Sequence, residues 1–364
     1  MFGYILISIV TLLQVYVFWR AASIPMFQNH QLLLTCAGIF LWLLFVSGRI
    51  FGHGGTGTLA WLLEVAGMHW MTVLFLLFVC LLAVELITGF GFLISRFAPL
   101  LREVALIAGV VLSIIALIQG LRPPVVQNYE VSLSGLSREL DGTVIVAMSD
   151  LHLGSLLGDK WMSKRVAQVQ AEHPDLIFLL GDNFEGHGEP LVKLLPVMRG
   201  LSAPFGVWGV TGNHESYGHG DTNIRLFEHA RFHLLRDRWA EVRPGLVVAG
   251  VDDLTSRHRR GLTGDHIAKA LEGRPSGATI LLSHTPWQTE EAAKAGVELM
   301  LCGHTHGGQV WPFGYVVRIF YPLLAGRYDV SGMTAIVCRG TGTWGPRMRL
   351  WRRGEILRVT LRSN

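Results

Sequence analysis

Five short polar clusters in the C-terminal two-thirds of the sequence contain side chains that can bind metal ions. Each follows a run of apolar residues that predicts a buried strand. The clusters are residues 149–152, 181–183, 212–215, 283–286 and 303–309. Their Asp, His and Asn side chains are the oxygen and nitrogen ligands suited to Mn, Fe or Zn. Because ligands of open α/β sheets gather beyond the carboxyl ends of strands, we expect the five clusters to converge.

Spacing within the clusters supports a shared site. In an extended segment the side chains at i and i+2 lie on one face, so Asp150 and His152 can reach one ion together. The same holds for His304 and His306. A lone Asp-x-His occurs by chance, and Gly-Asp after a strand is usually a turn. Five such clusters in succession, each at a predicted strand end, favour a metal centre.

The elements that position these clusters alternate between two types. Short apolar runs predict strands at 143–148, 176–180, 205–210, 246–251, 279–282 and 297–301. Amphipathic segments predict helices at 161–172, 190–199, 222–229, 264–271 and 288–295. This alternation is typical of a layered α/β domain. Residues 333–337 and 356–361 predict a terminal β-hairpin.

The N-terminal third has a different composition. Residues 1–122 contain no lysine, and their only acids are Glu64, Glu85 and Glu103. A spanning helix needs about 20 apolar residues. The apolar runs 2–19, 32–46, 68–94 and 104–121 therefore predict four transmembrane helices, the first retained because no basic residue precedes it. Glu85 is either a functional intramembrane group or, the interpretation we favour, a neutral glutamate hydrogen-bonded between helices.

These patterns divide the chain into a membrane region at 1–122, a linker at 123–142 and a catalytic domain at 143–364. Positively charged loops favour the cytoplasm. Arg20, Arg96 and Arg102 on one side outnumber Arg49 and Arg122 on the other, which predicts both termini and the catalytic domain outside the cytoplasm.

The net charge of +4 is small for 364 residues, so no nucleic-acid partner is predicted.

The cluster residues resemble a known family. The series Asp150-x-His152, Gly181-Asp182, Gly212-Asn213-His214-Glu215, His284 and Gly303-His304-Thr305-His306 resembles the calcineurin-like metallophosphoesterases. The 303–309 run and Gly340-Thr341-Gly342 look like the bacterial membrane-associated phosphodiesterase branch. The resemblance implies a four-layer αββα sandwich after the multi-pass helical region. After Gly181-Asp182 the family often continues with an apolar and then an acidic residue, whereas this chain has Asn183-Phe184-Glu185, which leaves the substrate contacts there open.

The resemblance also implies residue roles. Two divalent ions, of Mn, Fe or Zn, would be bound. One would be held by Asp150, His152, Asp182 and His306, and the other by Asp182, Asn213, His284 and His304. His214 would be a catalytic acid or transition-state stabiliser rather than a ligand. Glu215 would either orient His214 or be an acid favoured at a helix start.

The implied activity is that of a metal-dependent phosphoesterase, which hydrolyses a phosphodiester or pyrophosphate bond with a hydroxide activated by two metals. We expect a membrane-associated, lipid-linked substrate. Arg257, Arg259 and Arg260 would contact its anionic headgroup, or else form a solvated surface loop. One alternative is a membrane-tethered phosphatase or nuclease for soluble substrates. Another is a non-catalytic sensor or transport module with a vestigial metal domain, which the presence of all seven predicted ligands disfavours.

Overall fold

Long apolar helices form the first part of the structure, a computed structural model that describes residues 2–53, 55–185, 191, 193–216 and 220–364. Among the described residues, four helices are long and apolar enough to cross a membrane, as the sequence predicts. The helices of this part are α1 (Phe2–Ala22), α2 (Pro25–Gln28), α3 (Gln31–Ser47), α4 (Gly57–Thr88) and α5 (Ala98–Leu121). A π-helical turn, Gly48–Gly52, follows α3.

The third apolar helix, α4, begins eleven residues before the predicted start at 68. Glu64 does not interrupt it, because this side chain is buried and lies 3.2 Å from His53 Nδ1. Gly89 ends the helix in the left-handed conformation, with φ of 56°, which glycine adopts without steric cost. The hydrophobic run therefore continues as helix on the N-terminal side and stops at a glycine.

Small residues bring these helices close together. A Cβ atom on Gly48 would lie 2.3 Å from the backbone oxygen of Leu63. One on Gly109 would lie 2.8 Å from the Leu77 side chain. Such contacts are common where helices pack within lipid. The outer faces are apolar instead, which suits hydrocarbon because the helical backbone satisfies its own polar groups.

Glu85 forms a buried network with two arginines, which differs from the neutral glutamate hydrogen-bonded between helices that we favour from sequence. Arg102 Nε and Nη2 donate to its two carboxylate oxygens at 2.7 and 3.2 Å. Arg20 Nη2 lies 3.1 Å from Glu85 Oε2. Arg102 Nη1 also donates to Ser23 Oγ. The partners come from α1 and α5, which is why no partner could be found at helical spacing along α4.

Replacing Glu85 by alanine is expected to lower the free energy of unfolding by about 3–5 kcal/mol, because the buried Arg102 and the partly buried Arg20 lose their counter-charge. Thermal unfolding of the full chain in nanodiscs measures the loss. Glu103→Ala, one position beyond Arg102 on α5, is the control and should have a small effect. Replacing Glu85, Arg20 and Arg102 together by leucine should recover much of the loss. Equal stability of Glu85→Ala and the control would contradict the network.

A segment near the C-terminus, Gly345–Trp351, groups with the helices rather than with its neighbours in sequence. The backbone N–H of Arg349 donates to Ala116 O at 2.9 Å, and that of Trp351 donates to Gln119 Oε1 at 2.8 Å. The Arg349 side chain is buried, as are Met348 and Leu350. The chain thus returns once to the helical unit before its last strand.

The second unit is built on two six-stranded sheets. One has the order β1-β12-β2-β3-β4-β5 and the other β10-β11-β9-β8-β7-β6. The strands are β1 (Val125–Leu133), β2 (Val144–Met148), β3 (Leu176–Leu179), β4 (Val207–Gly209), β5 (His233–Leu234), β6 (Arg238–Arg243), β7 (Leu246–Gly250), β8 (Ala278–Leu282), β9 (Leu299–Cys302), β10 (Gly326–Val330), β11 (Met333–Val337) and β12 (Glu355–Ser363). All six strands predicted before residue 302 have a counterpart.

Three apolar cores give this unit its layers. The largest lies between the sheets and combines side chains such as Ile145, Phe178 and Ile280. The other two lie on the outer faces, where helices pack. The helices are Asp159–Gln170, Leu195–Met198, Gly220–Ala230, Leu254–Arg259, His266–Leu271, Thr289–Lys294 and Gly314–Phe320. The predicted four-layer αββα sandwich is confirmed. Residues 190 and 192 of the predicted helix 190–199 lie outside the described residues.

Two features near the ends of this unit differ from the sequence-based expectation. Residues 123–142, expected to be a linker, contain β1, which pairs in parallel with β12 over nine residues. The expected hairpin of 333–337 with 356–361 is wrong, because β11 pairs with β10 and β12 lies in the other sheet. β11 and β12 look alike in sequence, and the partner of each strand depends on the fold rather than on local pattern.

Candidate metal centre

Five loops at the carboxyl ends of β2, β3, β4, β8 and β9 meet at one place. Hydrogen bonds from backbone N–H groups join them: Asp150 N donates to Gly181 O at 3.0 Å, and His304 N donates to the Asp150 side-chain carboxylate at 3.1 Å. His214 N donates to Asp182 Oδ1 at 2.8 Å. The expected convergence of the polar clusters is therefore present in the structure.

The backbone of these loops is unusual. Asp150, His152, Asp182, His304 and His306 all have positive φ, between 44° and 72°. Residues other than glycine are uncommon in this conformation, and a cluster of them is typical of a functional site. The turn at each strand end is thus shaped to aim a side chain inward.

Two glycines permit the close approach of the loops. A Cβ atom on Gly303 would lie 1.7 Å from Ser149 Oγ, and one on Gly212 would lie 2.1 Å from Asp182 Oδ1. No real Cβ contact is that short. Any side chain at either position would therefore displace a residue of the centre.

The first donor group consists of Asp150, His152 and His306. His306 Nε2 lies 3.3 Å from Asp150 Oδ1 and 3.1 Å from His152 Nε2. All three residues are buried. Two ring nitrogens that face each other need a proton or a cation between them, so this group could hold a metal ion.

The second donor group consists of Asp182, His284 and His304. His284 Nε2 lies 3.1 Å from Asp182 Oδ2 and 3.2 Å from His304 Nδ1. Asp182 Oδ2 is also 4.0 Å from His152 Nε2, so it lies between the two groups. Asn213 is buried on the β4 loop between Gly212 and His214.

The second ring nitrogen of three histidines is held by a neighbour. His284 Nδ1 lies 2.8 Å from Leu180 O, and His304 Nε2 lies 2.8 Å from Tyr321 Oη. His152 Nδ1 lies 2.8 Å from Glu185 Oε2. Metal-binding histidines are usually oriented in this way, with the other nitrogen left for the ion. The donor sets therefore fit the divalent ions that the sequence analysis expects.

The charges of the centre favour cations. Burial raises the pKa of Asp182, but His284 and His214 outweigh it and hold that pKa well below its ordinary value. Burial lowers the pKa of His152, but Glu185, Asp182 and Asp150 outweigh it and raise that pKa to about 9. The carboxylates thus stay ionised in a buried site and attract positive charge.

His214, the expected catalytic residue, lies beside both the second donor group and Glu185. Its Nε2 is 3.9 Å from Asp182 Oδ2, and its Nδ1 is 3.6 Å from Glu185 Oε1. The ring meets His152 edge to face, with centroids 4.7 Å apart. Burial lowers the pKa of His214, while Asp182 and Glu185 act in the opposite direction.

Glu215 has neither of the roles considered from sequence. Its carboxylate accepts the backbone N–H groups of Gly212, Asp182, Asn183 and Phe184, at 2.7–3.0 Å. Burial and Asp182 raise the pKa of Glu215 to about 7, whereas the N–H donors favour the ionised form. Glu215 therefore clamps the β3 loop to the β4 loop and fixes the position of Asp182.

Glu185 is the residue that orients imidazoles. It contacts the Nδ1 atoms of both His152 and His214. In the sequence it marks only a departure from the family pattern after Gly181-Asp182. The sequence signal that could have found it is its acidic type three residues beyond Asp182, at the end of a strand.

Glu185→Gln is expected to weaken Mn²⁺ binding by about 10- to 100-fold, because the carboxylate that orients His152 loses its charge. Calorimetric titration of the full chain measures the dissociation constant. Glu172→Gln is the matched control, because Glu172 pairs with Arg358 at 3.4 Å on the surface. An unchanged dissociation constant in Glu185→Gln would show that Glu185 does not position the ligand.

The three arginines expected to contact substrate lie in different surroundings. The Arg257 guanidinium bonds to Asp237, and its Nη2 lies 3.5 Å from Asp252. Its Nη1 lies 2.9 Å from His266 Nδ1. Arg257 is thus engaged within its own domain, which differs from the expectation of a headgroup contact. Arg259 and Arg260 are exposed.

Comparisons with known proteins match residues 143–308 to the family model described as calcineurin-like phosphoesterase. The chain is 31% identical over 292 residues to a Bos taurus transmembrane protein with metallophosphoesterase domain, covering 74% of this chain but only 64% of that protein. It is 32% identical over 245 residues to an uncharacterized metallophosphoesterase of Aquifex aeolicus, covering 65% and 92%. A solved NAD nucleotidase of Haemophilus influenzae is similar with TM-score 0.37 and 13% identity, covering 55% and 51%.

Proposed function

Because this chain belongs to the calcineurin-like phosphoesterase family, we propose that it is a metal-dependent phosphoester hydrolase. The observation that carries the proposal is the convergence of six predicted ligands into two adjoining donor groups. The two groups support binding of two divalent ions, of Mn, Fe or Zn, with Asp182 shared between them and Asn213 completing the second site. All seven predicted ligands would then act in one centre.

Divalent ions bound there would supply the activation of water and the neutralisation of phosphoryl charge. Asp182 would contribute to both sites, since its Oδ2 lies 3.1 Å from His284 and 4.0 Å from His152. His214 would donate a proton to the leaving oxygen, as a general acid does. Glu185 would hold the His214 ring through Nδ1, and Glu215 would keep the loop of Asp182 in place.

We further propose that the bond is a phosphodiester or pyrophosphate in a membrane-associated, lipid-linked molecule. Only residues 122–124 separate the end of α5 from the start of β1, so the catalytic unit is tethered to the membrane helices by a very short connection. A phosphate on a lipid is then at high effective concentration, whereas a soluble ester gains nothing from the tether.

Hydrolysis by the purified full chain in nanodiscs, supplied in turn with Mn²⁺, Fe²⁺ or Zn²⁺, tests the proposal. Bis(p-nitrophenyl) phosphate tests the hydrolase, and phosphatidylglycerol and a polyprenyl pyrophosphate test the substrate class. Turnover of the aryl ester that chelation abolishes supports the hydrolase. No turnover with any of the three metals would favour the non-catalytic module. Faster turnover of soluble esters than of either lipid would favour the tethered phosphatase or nuclease.

The topology proposal is that the catalytic unit lies outside the cytoplasm. Arg20 and Arg102 both bond to Glu85, so the first and third loops lie at the same end of the helices. Together with Arg96 they give that end the larger number of arginines, which favours the cytoplasm. Protease added to intact spheroplasts is expected to degrade the catalytic unit without lysis. Protection until lysis would reverse the orientation.

A further inference from the structure

Exposed apolar side chains of the catalytic unit are concentrated in one short segment. Among the described residues of this unit, seven large apolar side chains are exposed, and six of them lie within residues 311–320, here called the aromatic patch. They are Trp311, Phe313, Tyr315, Val316, Ile319 and Phe320, and the seventh is Leu262. Exposed apolar residues on a soluble surface are normally scattered, so a cluster of this kind marks an interaction surface.

The helix within the aromatic patch is not a core helix. No residue of Gly314–Phe320 is buried. Ile319 and Tyr315 are 75% and 67% exposed, and Arg318 lies in the last turn. A short helix that presents apolar and aromatic side chains with a cation suits the interface of a bilayer, where its apolar atoms leave water and its charge stays among headgroups.

The aromatic patch is joined to the second donor group. Tyr321, the residue after the helix, places its hydroxyl 2.8 Å from His304 Nε2. Trp287 stacks on Tyr321 with centroids 5.5 Å apart, and its Nε1 donates to Phe320 O at 3.3 Å. The helix is therefore held directly beside a predicted metal ligand rather than on a remote face.

Basic residues adjoin the aromatic patch on the same side. Trp287 also meets the ring of His258, with centroids 5.9 Å apart. His258 is followed by Arg259 and Arg260, all three exposed, and Arg318 is exposed on the helix itself. Apolar side chains next to clustered arginines complement a membrane that contains anionic lipids.

We propose that the aromatic patch inserts into the headgroup region of a lipid bilayer. The metal centre beside Tyr321 then meets phosphate esters carried by membrane lipids. The encounter of the metal centre with lipid phosphate esters rests on the proposed function, whereas the membrane contact of the patch does not. The experiments below separate the two. Leu262 would lie outside the contact.

A depth measurement on the full chain in nanodiscs tests the contact. Ile319→Cys is labelled with an environment-sensitive fluorophore. Cys36 and Cys80 are replaced by alanine so that they do not take up the label, whereas Cys302 and Cys338 are buried and are retained. Nitroxide lipids quench the label. A patch about 5–10 Å deep is quenched more by nitroxides near the headgroup than by those at the chain end. Glu139→Cys, exposed on the turn Arg138–Leu140, is the control and should not be quenched.

Three outcomes decide the contact. Quenching at position 319 but not at 139, stronger when phosphatidylglycerol is included, supports it. Equal quenching at the two positions, or none at 319, overturns it. Self-quenching between labelled copies, without quenching by lipid, would show that the patch joins two chains and would also overturn it.

The functional part is tested with Val316→Ser and Ile319→Ser combined. Turnover of the lipid ester is expected to fall roughly tenfold or more, because two apolar side chains lose their burial in lipid. Turnover of bis(p-nitrophenyl) phosphate should be unchanged, and Leu262→Ser should affect neither. Quenching at 319 in a chain that hydrolyses no ester would preserve the contact and reject the proposed function. Hydrolysis of the aryl ester without quenching at 319 would preserve the proposed function and reject the contact.

Discussion

Asp182→Asn is expected to remove most hydrolytic activity and to weaken metal binding in both donor groups. The side chain lies between the groups, 3.1 Å from His284 Nε2 and 4.0 Å from His152 Nε2. Loss of one preorganised charge-stabilising group alone costs about 10²–10³ in rate, and a shared ligand should cost at least roughly that much. Elemental analysis gives the metal content, and turnover of bis(p-nitrophenyl) phosphate gives the rate.

Asp175→Asn is the matched control for this prediction. Asp175 immediately precedes β3, at the end opposite Asp182, and its carboxylate accepts the N–H of Val144 at 2.8 Å. An asparagine oxygen can still accept this bond, so metal content and rate should be nearly unchanged. Full metal occupancy together with unaltered turnover in Asp182→Asn would contradict the shared-ligand assignment.

His214→Ala is expected to keep the metal content and to slow hydrolysis by roughly 10²–10⁴-fold, the range of general acid–base catalysis. The expectation follows from the position of the ring, which lies beside Asp182 and Glu185. His214 forms a possible donor group with His152 and Glu185 but belongs to neither group that contains Asp150 or Asp182. A series of aryl esters measures the effect. The loss should shrink as the leaving group improves, because a good leaving group needs no proton.

His229→Ala, an exposed histidine of the same unit, is the control for this series. It should leave the rate unchanged for every ester. An equal loss across all leaving groups in His214→Ala would mean that the residue does not act as the acid. A loss of metal content would mean that it acts as a ligand instead.

The strands and the clusters that follow them were predictable because each rests on local pattern. Buried strands such as 176–180 are short apolar runs, and parallel strands bring their carboxyl ends to one edge. Side chains that follow parallel neighbours of one sheet, such as Asp150 after β2 and Asp182 after β3, therefore converge without any knowledge of the packing, whereas the approach of His284 from the other sheet depends on it. The apolar helices were predictable for the same reason, since length and hydropathy suffice to identify them.

The roles of the acidic residues were not predictable, because they depend on contacts between distant segments. Glu215 is next to His214 in sequence, yet its carboxylate accepts N–H groups of the β3 loop. Glu185 is remote from His214 in sequence but contacts its ring. Glu85 and Arg257 likewise find partners on other elements. Residue type indicates what a carboxylate can do, but only the fold selects its partner.

The return of Gly345–Trp351 to the helices limits how a soluble fragment can be prepared. A fragment that starts after Arg122 lacks Ala116 and Gln119, the acceptors for the backbone of Arg349 and Trp351. It also retains Met348 and Leu350, which are 2% and 3% exposed in the full chain, without the helices of their unit. A start at Val131 would in addition cut β1 within its pairing to β12. Truncation is therefore expected to produce aggregation-prone protein, unless residues 345–351 are replaced by a short polar loop.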